Sequence, residues 1–187
     1  VKGHDVLIAA LRRLRAEGFQ SVPFAVEIAG DGAGRAALEQ AIAAAGLVNV
    51  RLTGFCDRPQ EFLATLHLYV QPSRSEGLCI AVHEAMTAGL PAIASAVGEM
   101  PYSIVEGVTG RVVPPADPAA LAGALAGMLA APDKLAAMGE TARAHMLDRF
   151  GEAAFAAAGA AVMRQIAPVA GGVPDRSASR APSGRFA

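Results

Sequence analysis

Short apolar segments alternate with segments of helical periodicity along most of the chain. A strand is predicted where a few consecutive apolar residues are followed by glycine, proline or another turn residue. This pattern predicts five strands, at residues 24–29, 48–53, 68–70, 92–94 and 110–113. We expect the first of these strands to be buried, because apolar residues dominate it.

Helical periodicity is clear at residues 6–16, where apolar residues fall at positions 7, 8, 11 and 14. Glycines at positions 46 and 89 end the helices that precede them, and Pro118 begins a helix where its missing N–H costs least. The predicted helices are 6–16, 35–45, 59–65, 80–88, 101–105, 118–129, 133–150 and 155–166.

The alternation of strands and helices predicts an α/β fold with a Rossmann-like, doubly wound parallel sheet. Parallel strands joined through helices need right-handed crossovers, and ligands of such sheets bind beyond the carboxyl ends of the strands. Four turns follow predicted strands, at residues 30–34, 54–57, 73–79 and 95–100. We therefore expect these turns to converge on one edge of the sheet and to form a cleft there.

Composition narrows the class of protein. The 187 residues are 53% hydrophobic, enough for a core, but no run of about 18 apolar residues predicts a membrane span. A net charge of −1 gives no support for a nucleic-acid partner. The only cysteines, Cys56 and Cys79, lie far apart and suggest neither a zinc site nor a disulfide framework, which fits a cytoplasmic protein.

The most informative feature is a pair of glutamates, Glu76 and Glu84, with seven residues between them. Glu76 lies in a glycine-containing turn after a predicted strand, and Glu84 lies within the helix that follows. The helix start between them offers unpaired backbone N–H groups and the positive end of the helix dipole, which favour anions. Carboxylates suit sugar or ribose hydroxyls, so the segment could hold a nucleotide diphosphate sugar.

This segment resembles the E-x7-E signature of retaining glycosyltransferases of family 4, the group 1 family with the GT-B fold. The resemblance covers about the first 150 residues and keeps the order and approximate spacing of the family. Besides 76–84, it is carried by KGHD at 2–5, AGDG at 29–32, LTGF at 52–55, QPS at 71–73, GEMP at 98–101 and TG at 109–110.

The resemblance implies roles for individual residues. Glu76 and Lys2 would be catalytic, with Glu76 facing the donor sugar and Lys2 offsetting charge on the leaving diphosphate. Glu84 would accept hydrogen bonds from ribose hydroxyls. The remaining residues expected to bind the sugar donor are Gly77, Leu78, Cys79 and Ile80 through their N–H groups, Gly30 and Gly32 in a turn near the nucleotide, and Phe55 against the base. Arg74 and His83 are expected at the surface.

The resemblance also implies a domain organisation. Residues 1–150 would be the nucleotide-sugar-binding C-terminal half of a GT-B enzyme, truncated at its first strand and lacking its N-terminal acceptor domain. Residues 151–170 would form a helix that crosses toward that missing domain. Residues 171–187 are rich in Gly, Pro, Ser and Arg and are expected to be disordered. We expect this tail to be solvated, and peripheral contact of its three arginines with the inner face of a membrane is the alternative.

Several functional alternatives stay open at this point. The substrate could be a UDP-, GDP- or ADP-linked sugar, and the acceptor a glycan, lipid or small molecule. No tightly bound cofactor and no protein-bound metal is expected. Another GT-B enzyme, of the glucan synthase or epimerase type, and a non-catalytic nucleotide-binding module are the main rivals. A dehydrogenase is a distant third, because Arg35 stands where a dinucleotide fingerprint needs its last glycine. This chain alone is expected to catalyse little.

Overall fold

The computed structural model describes residues 1–19 and 23–166. The chain divides into two units, Val1–Arg149 and Phe150–Ala187. The predicted tail at 171–187 lies outside the described residues. The strands are β1 (Val26–Ala29), β2 (Val50–Gly54), β3 (Tyr69–Gln71), β4 (Ala92–Ser95) and β5 (Gly110–Val113). The helices are α1 (His4–Ala16), α2 (Arg35–Ala44), α3 (Pro59–Leu63), α4 (Ile80–Thr87), α5 (Met100–Ser103), α6 (Pro118–Leu129), α7 (Pro132–Phe150) and α8 (Glu152–Ile166).

All the strands named above pair in parallel, but they form two sheets rather than one. β1 pairs with β2, starting with Val26 opposite Val50. The second sheet has the order β3-β4-β5, with Ile93 at its centre opposite Val70 and Arg111. The α/β class is as predicted, whereas a single continuous sheet is not what the described residues form.

The β3-β4-β5 sheet is covered on both faces. Ile93 packs into a core with α1 and α6, and its neighbours Ala92 and Ala94 pack on the opposite face. That second core includes Met86 of α4 and Met100 of α5. Because both edges of β4 are paired and both faces are packed, the first three of its four residues, 92–94, have no exposed surface at all.

The β1-β2 sheet is covered on one face only. Ile28 packs against the core of α1, whereas Glu27 forms an ion pair with Arg51 on the opposite face. This polar face borders an open cavity of about 560 Å³. The strand predicted as buried therefore has a buried and an accessible side, because its side chains alternate between apolar and polar positions.

A slot separates the two sheets. This cavity of about 1310 Å³ is lined along their facing edges by β1 and β3. Its apolar lining residues include Val26, Ile28, Leu68, Val70, Leu125 and Leu135. No described strand occupies the slot, so the inner edges of β1 and β3 are not paired with each other.

The second unit is described only from Phe150 to Ile166, and this described part consists mainly of α8. None of the residues of α8 is buried, and large apolar side chains such as Phe155 and Met163 are exposed. Among the described residues, no single helix is both long and apolar enough to cross a membrane; one bent pair of helices meets the criteria only on length and composition.

Candidate functional site

The loop after β3 brings Glu76 to a polar cluster. One oxygen of its carboxylate, Oε1, accepts hydrogen bonds from Lys2 Nζ (2.8 Å), Ser73 Oγ (2.7 Å) and Gln71 Nε2 (3.3 Å). The side chain of Glu76 is only 12% exposed, whereas that of Lys2 is 57% exposed. The two residues predicted to be catalytic therefore form an ion pair across 74 residues of sequence.

Lys2 is fastened to the same loop on both sides. The N–H of Arg74 donates to Val1 O at 2.9 Å, and the Arg74 guanidinium forms two hydrogen bonds of 2.5 Å to the Asp5 carboxylate. Gly3 follows with φ of 71°, and a Cβ there would lie 1.8 Å from Pro72 O. Only glycine allows this close approach. Arg74 is exposed, as predicted, and its guanidinium is engaged with Asp5.

The interaction between Lys2 and Glu76 shifts the pKa of each residue in favour of its charged form. Burial by itself raises the pKa of Glu76, but hydrogen bonds from Lys2, Ser73 and Gln71 and the charge of Lys2 outweigh it and leave the pKa lowered. The hydrogen bond to Glu76 raises the pKa of Lys2 in turn. The site therefore holds an adjacent carboxylate and ammonium over a wide pH range.

The start of α4 lies directly after Glu76. Leu78 and Ile80 are exposed, whereas the Cys79 side chain is buried in the core. Burial raises the pKa of the Cys79 thiol, outweighing the effect of nearby N–H groups, so this thiol is not an activated nucleophile.

Not every N–H group predicted to bind phosphate is available. The N–H of Ile80 donates to Leu78 O at 3.1 Å, which is a correction to its expected role. The N–H groups of Gly77, Leu78 and Cys79 donate to no backbone oxygen within the described residues.

The backbone of the loop after β4 contacts the backbone of the loop that carries Glu76. The N–H of Glu99 donates to Gly77 O at 3.1 Å. Gly98 has φ of 56°, and a Cβ on it would lie 2.2 Å from Gly77 O and 2.6 Å from Glu76 O. The predicted convergence of the turns after β3 and β4 is therefore observed, at backbone contact distance.

Glu84 lies on the exposed face of α4. It follows Ile80 by four residues, so the two side chains share one side of the helix, and both are exposed. His83, predicted to be exposed, is instead half-buried, with Nε2 2.7 Å from Ser103 Oγ. This contact joins α4 to α5.

The predicted residues after β1 and β2 form a separate group. The N–H of Gly30 donates to Gly54 O at 2.7 Å, and the N–H of Gly32 donates to the Asp31 side chain at 2.8 Å. Gly30 and Gly32 line the slot together with Lys2, whereas Glu76 and Glu84 do not line it. Phe55 is 80% exposed and lines neither described cavity.

Three residues of this site were given no role in it from the sequence. Tyr69, Gln71 and Ser73 alternate along β3 and its extension, so all three project to the same side as a polar row. Their hydroxyl and amide groups lead directly to Glu76. The alternation of these polar residues with apolar ones was the sequence pattern that could have identified them as part of the site. Within the described residues, no group of three His, Cys, Asp or Glu side chains could hold a metal ion.

The chain is similar to glycosyltransferases of known sequence and structure. The family described as "Glycosyl transferases group 1" matches residues 1–145. A D-inositol 3-phosphate glycosyltransferase 2 from Catenulispora acidiphila is 42% identical over 93 residues, which are 50% of this chain and 22% of that protein.

Solved structures share the fold. Sucrose-phosphate synthase from Thermosynechococcus elongatus superposes with a TM-score of 0.73 and 28% identity, over 90% of this chain and 43% of that one. HepE from Anabaena in complex with UDP-glucose gives a TM-score of 0.70 and 25% identity, over 90% and 45% of the two chains. The chain thus spans less than half the length of these relatives. The matches confirm the Rossmann-like α/β class, and the chain belongs to the group 1 glycosyl transferase family.

Proposed function

We propose that this chain is the donor-binding domain of a retaining, family 4 glycosyltransferase with the GT-B fold, which transfers a sugar from a UDP-sugar to an acceptor. The observation that carries the proposal is the pairing of Lys2 with Glu76 beside the start of α4. An ammonium group and backbone N–H groups suit a diphosphate, and a carboxylate suits sugar hydroxyls.

Each residue has a distinct part in the proposed reaction. The bond between the anomeric carbon and the diphosphate oxygen breaks while an acceptor hydroxyl attacks on the same face of the sugar, and the proton of that hydroxyl passes to the departing diphosphate. Negative charge then develops on the departing UDP, where Lys2 and the N–H groups at 77–79 stabilise it. Glu76 holds the sugar through its hydroxyls, and Glu84 holds the ribose of the nucleotide.

Binding of the sugar donor requires Lys2 to change partners. In the structure its ammonium group contacts Glu76, and its side chain is more than half exposed. A diphosphate arriving at the start of α4 competes for that ammonium group, because it carries more negative charge than a single carboxylate. The ion pair is therefore the resting state of the site, and the diphosphate complex is its loaded state.

The slot between the sheets supports the proposal that the domain belongs to a longer protein. Val1 O already accepts a hydrogen bond from Arg74, just beyond the end of β3. A chain leading into Val1 would therefore run beside β3 and place an apolar strand in the slot. The acceptor domain would come from elsewhere in the protein, and α8 would cross toward it with its exposed apolar residues.

The choice of UDP over GDP or ADP is supported by one neighbour, HepE, whose solved complex contains UDP-glucose. The test is ligand-observed NMR with UDP, GDP, ADP and UDP-glucose, on this chain and on a longer protein that includes the segment before Val1. UDP and UDP-glucose are expected to bind, and failure of every nucleotide to bind either protein contradicts the proposal.

A pair of variants makes the binding test specific. Glu84→Ala should weaken UDP binding by about 5- to 150-fold, since a lost hydrogen bond to a charged group is worth roughly 1–3 kcal/mol. Glu140→Ala, which removes an exposed carboxylate from α7, should not change it. Retention is tested separately on the longer protein, by the anomeric configuration of its product in proton NMR.

A further inference from the structure

A row of hydrogen bonds runs from β3 to the Glu76 carboxylate. The Tyr69 hydroxyl donates to Gln71 Oε1 at 2.8 Å. Gln71 Nε2 donates to Ser73 Oγ at 2.7 Å and to Glu76 Oε1 at 3.3 Å, and Ser73 Oγ donates to Glu76 Oε1 at 2.7 Å. We call Tyr69, Gln71 and Ser73 the β3 relay.

The carboxylate sets the direction of every bond in the relay. An ionised carboxylate only accepts hydrogen bonds, so Ser73 must donate its single hydroxyl proton to Glu76. Ser73 Oγ can then only accept from Gln71, and the amide of Gln71 must turn its NH₂ group toward Ser73 and Glu76. The amide oxygen consequently faces Tyr69, whose hydroxyl must donate. Burial raises the pKa of Tyr69, which keeps that proton in place.

The Gln71 and Ser73 side chains of the relay are buried, whereas the Lys2 side chain is exposed. Ser73 has no exposed surface and Gln71 is 7% exposed, because both lie on or next to β3. Lys2, in contrast, has a side chain that is 57% exposed. All the hydrogen bonds to Glu76 from the described residues end at Oε1, which leaves Oε2 without such a partner.

We propose that Gln71 and Ser73, oriented by Tyr69, are positioning residues that hold Glu76 in place through Oε1 and leave Oε2 to accept a hydroxyl of the donor sugar. The relay keeps Glu76 fixed and ionised when Lys2 turns to the diphosphate. This inference rests on the proposed function for the sugar contact, while the positioning of Glu76 stands on the geometry alone.

The first test needs no ligand. The carboxyl carbon of Glu76 is followed by ¹³C NMR as a function of pH in the wild type and in Gln71→Met, Ser73→Ala and Tyr69→Phe. The pKa of Glu76 should rise in Gln71→Met and Ser73→Ala, because each removes a hydrogen bond to the carboxylate, and it should rise least in Tyr69→Phe. An unchanged pKa in the first two variants overturns the proposal.

A matched control separates positioning from general loss of stability. Ser103→Ala removes another buried hydroxyl, which contacts His83 and Glu99 O but not Glu76. It should leave the pKa of Glu76 where it is. Tyr69→Phe keeps the ring and its packing, so it provides a folded variant even where Gln71→Met does not fold. A rise of the Glu76 pKa in Ser103→Ala as large as in Ser73→Ala contradicts a specific relay.

The second test compares two ligands on the longer protein. Gln71→Met should weaken UDP-glucose binding by about 3- to 10-fold while leaving UDP binding unchanged, because Glu76 contacts the sugar and not the nucleotide. Equal weakening of both ligands overturns the sugar contact. If the wild type binds neither ligand, the proposed function fails while the pKa test still decides whether the relay positions Glu76.

Discussion

The two sheets of this domain differ in how completely they are packed. In the β3-β4-β5 sheet, Ile93 has no exposed surface, whereas Leu52 in β2 is only half-buried. β4 is paired on both edges and covered on both faces, whereas β1 and β2 carry the charged side chains of Glu27 and Arg51 on an accessible face. The candidate site is divided between the two sheets, because Glu76 follows β3 of the well-packed sheet and Phe55 follows β2 of the open one.

The comparison predicts unequal losses of stability on truncating matched side chains. Ile93→Ala should lower the free energy of unfolding by about 3–5 kcal/mol, because it opens a cavity in a fully buried layer. Leu52→Ala should cost about 1–2 kcal/mol, since its side chain is already partly in water. Urea denaturation of both variants measures the difference. Equal losses would mean that the two sheets contribute alike to a single core.

The backbone contact behind Glu76 gives the next prediction. Gly98→Ala should cost about 2–4 kcal/mol, because a left-handed backbone and two carbonyl oxygens both oppose a Cβ there. Gly123→Ala is the matched control: it lies exposed in α6 with no atom within 4 Å of a Cβ, and should stabilise by about 0.5–1 kcal/mol. Thermal unfolding of both variants tests this. A neutral Gly98→Ala would show that the loop can move away from Gly77.

Hydrogen exchange sharpens the comparison without any substitution. The paired amides of β4 should exchange on the order of 10- to 100-fold more slowly than those of β1, because the open sheet can separate locally without unfolding the core. Proteolysis and mass spectrometry of exchanged peptides resolve the strands. Equal protection in both sheets would contradict the separation, and slower exchange of β1 in the longer protein would support a strand in the slot.

Much of the fold could be predicted from local pattern. Each described strand and helix overlaps its predicted segment, because alternation, helical period and glycine or proline boundaries are properties of nearby residues. The position of the break between β1 and β3 did not follow from local pattern, although the resemblance had led us to expect a domain that lacks its first strand. It depends on which strands are adjacent, and the polar position of Glu27 was the one hint that β1 has an accessible face.

The candidate site was predictable in its composition but not in its contacts. The pairing of Lys2 with Glu76 and of Asp5 with Arg74 joins residues about 70 positions apart, which no local pattern reveals. The resemblance implied a separate role for Lys2 and for Glu76, and it did not predict the ion pair between them. The contact of His83 with Ser103 was missed for the same reason, since a helical position alone does not identify the neighbouring helix.

The smallest expected effect is a pH dependence that again contrasts the two regions. His83 contacts Ser103 behind the closed sheet, and His4 lines the slot. Desolvation lowers the pKa of both imidazoles below the ordinary value of 6.5. The unfolded chain therefore binds a proton at higher pH than the folded chain does. The contribution of these two histidines to the free energy of unfolding should be greatest above about pH 6.5. It should fall as the pH drops through their pKa values in the folded protein.

Single substitutions show which histidine causes the pH dependence of the free energy of unfolding. Urea denaturation between pH 8 and pH 5 is expected to give a shallower slope in His83→Gln than in the wild type, because glutamine keeps a polar group beside Ser103 but does not titrate. His4→Gln should remove the contribution of His4, at the slot, to the pH dependence of the free energy of unfolding. Because the slot is open to water and Ser103 is not, we expect the larger share from His83. A slope that disappears in His4→Gln and persists in His83→Gln would reverse the comparison and place the acid-sensitive contacts at the open edge.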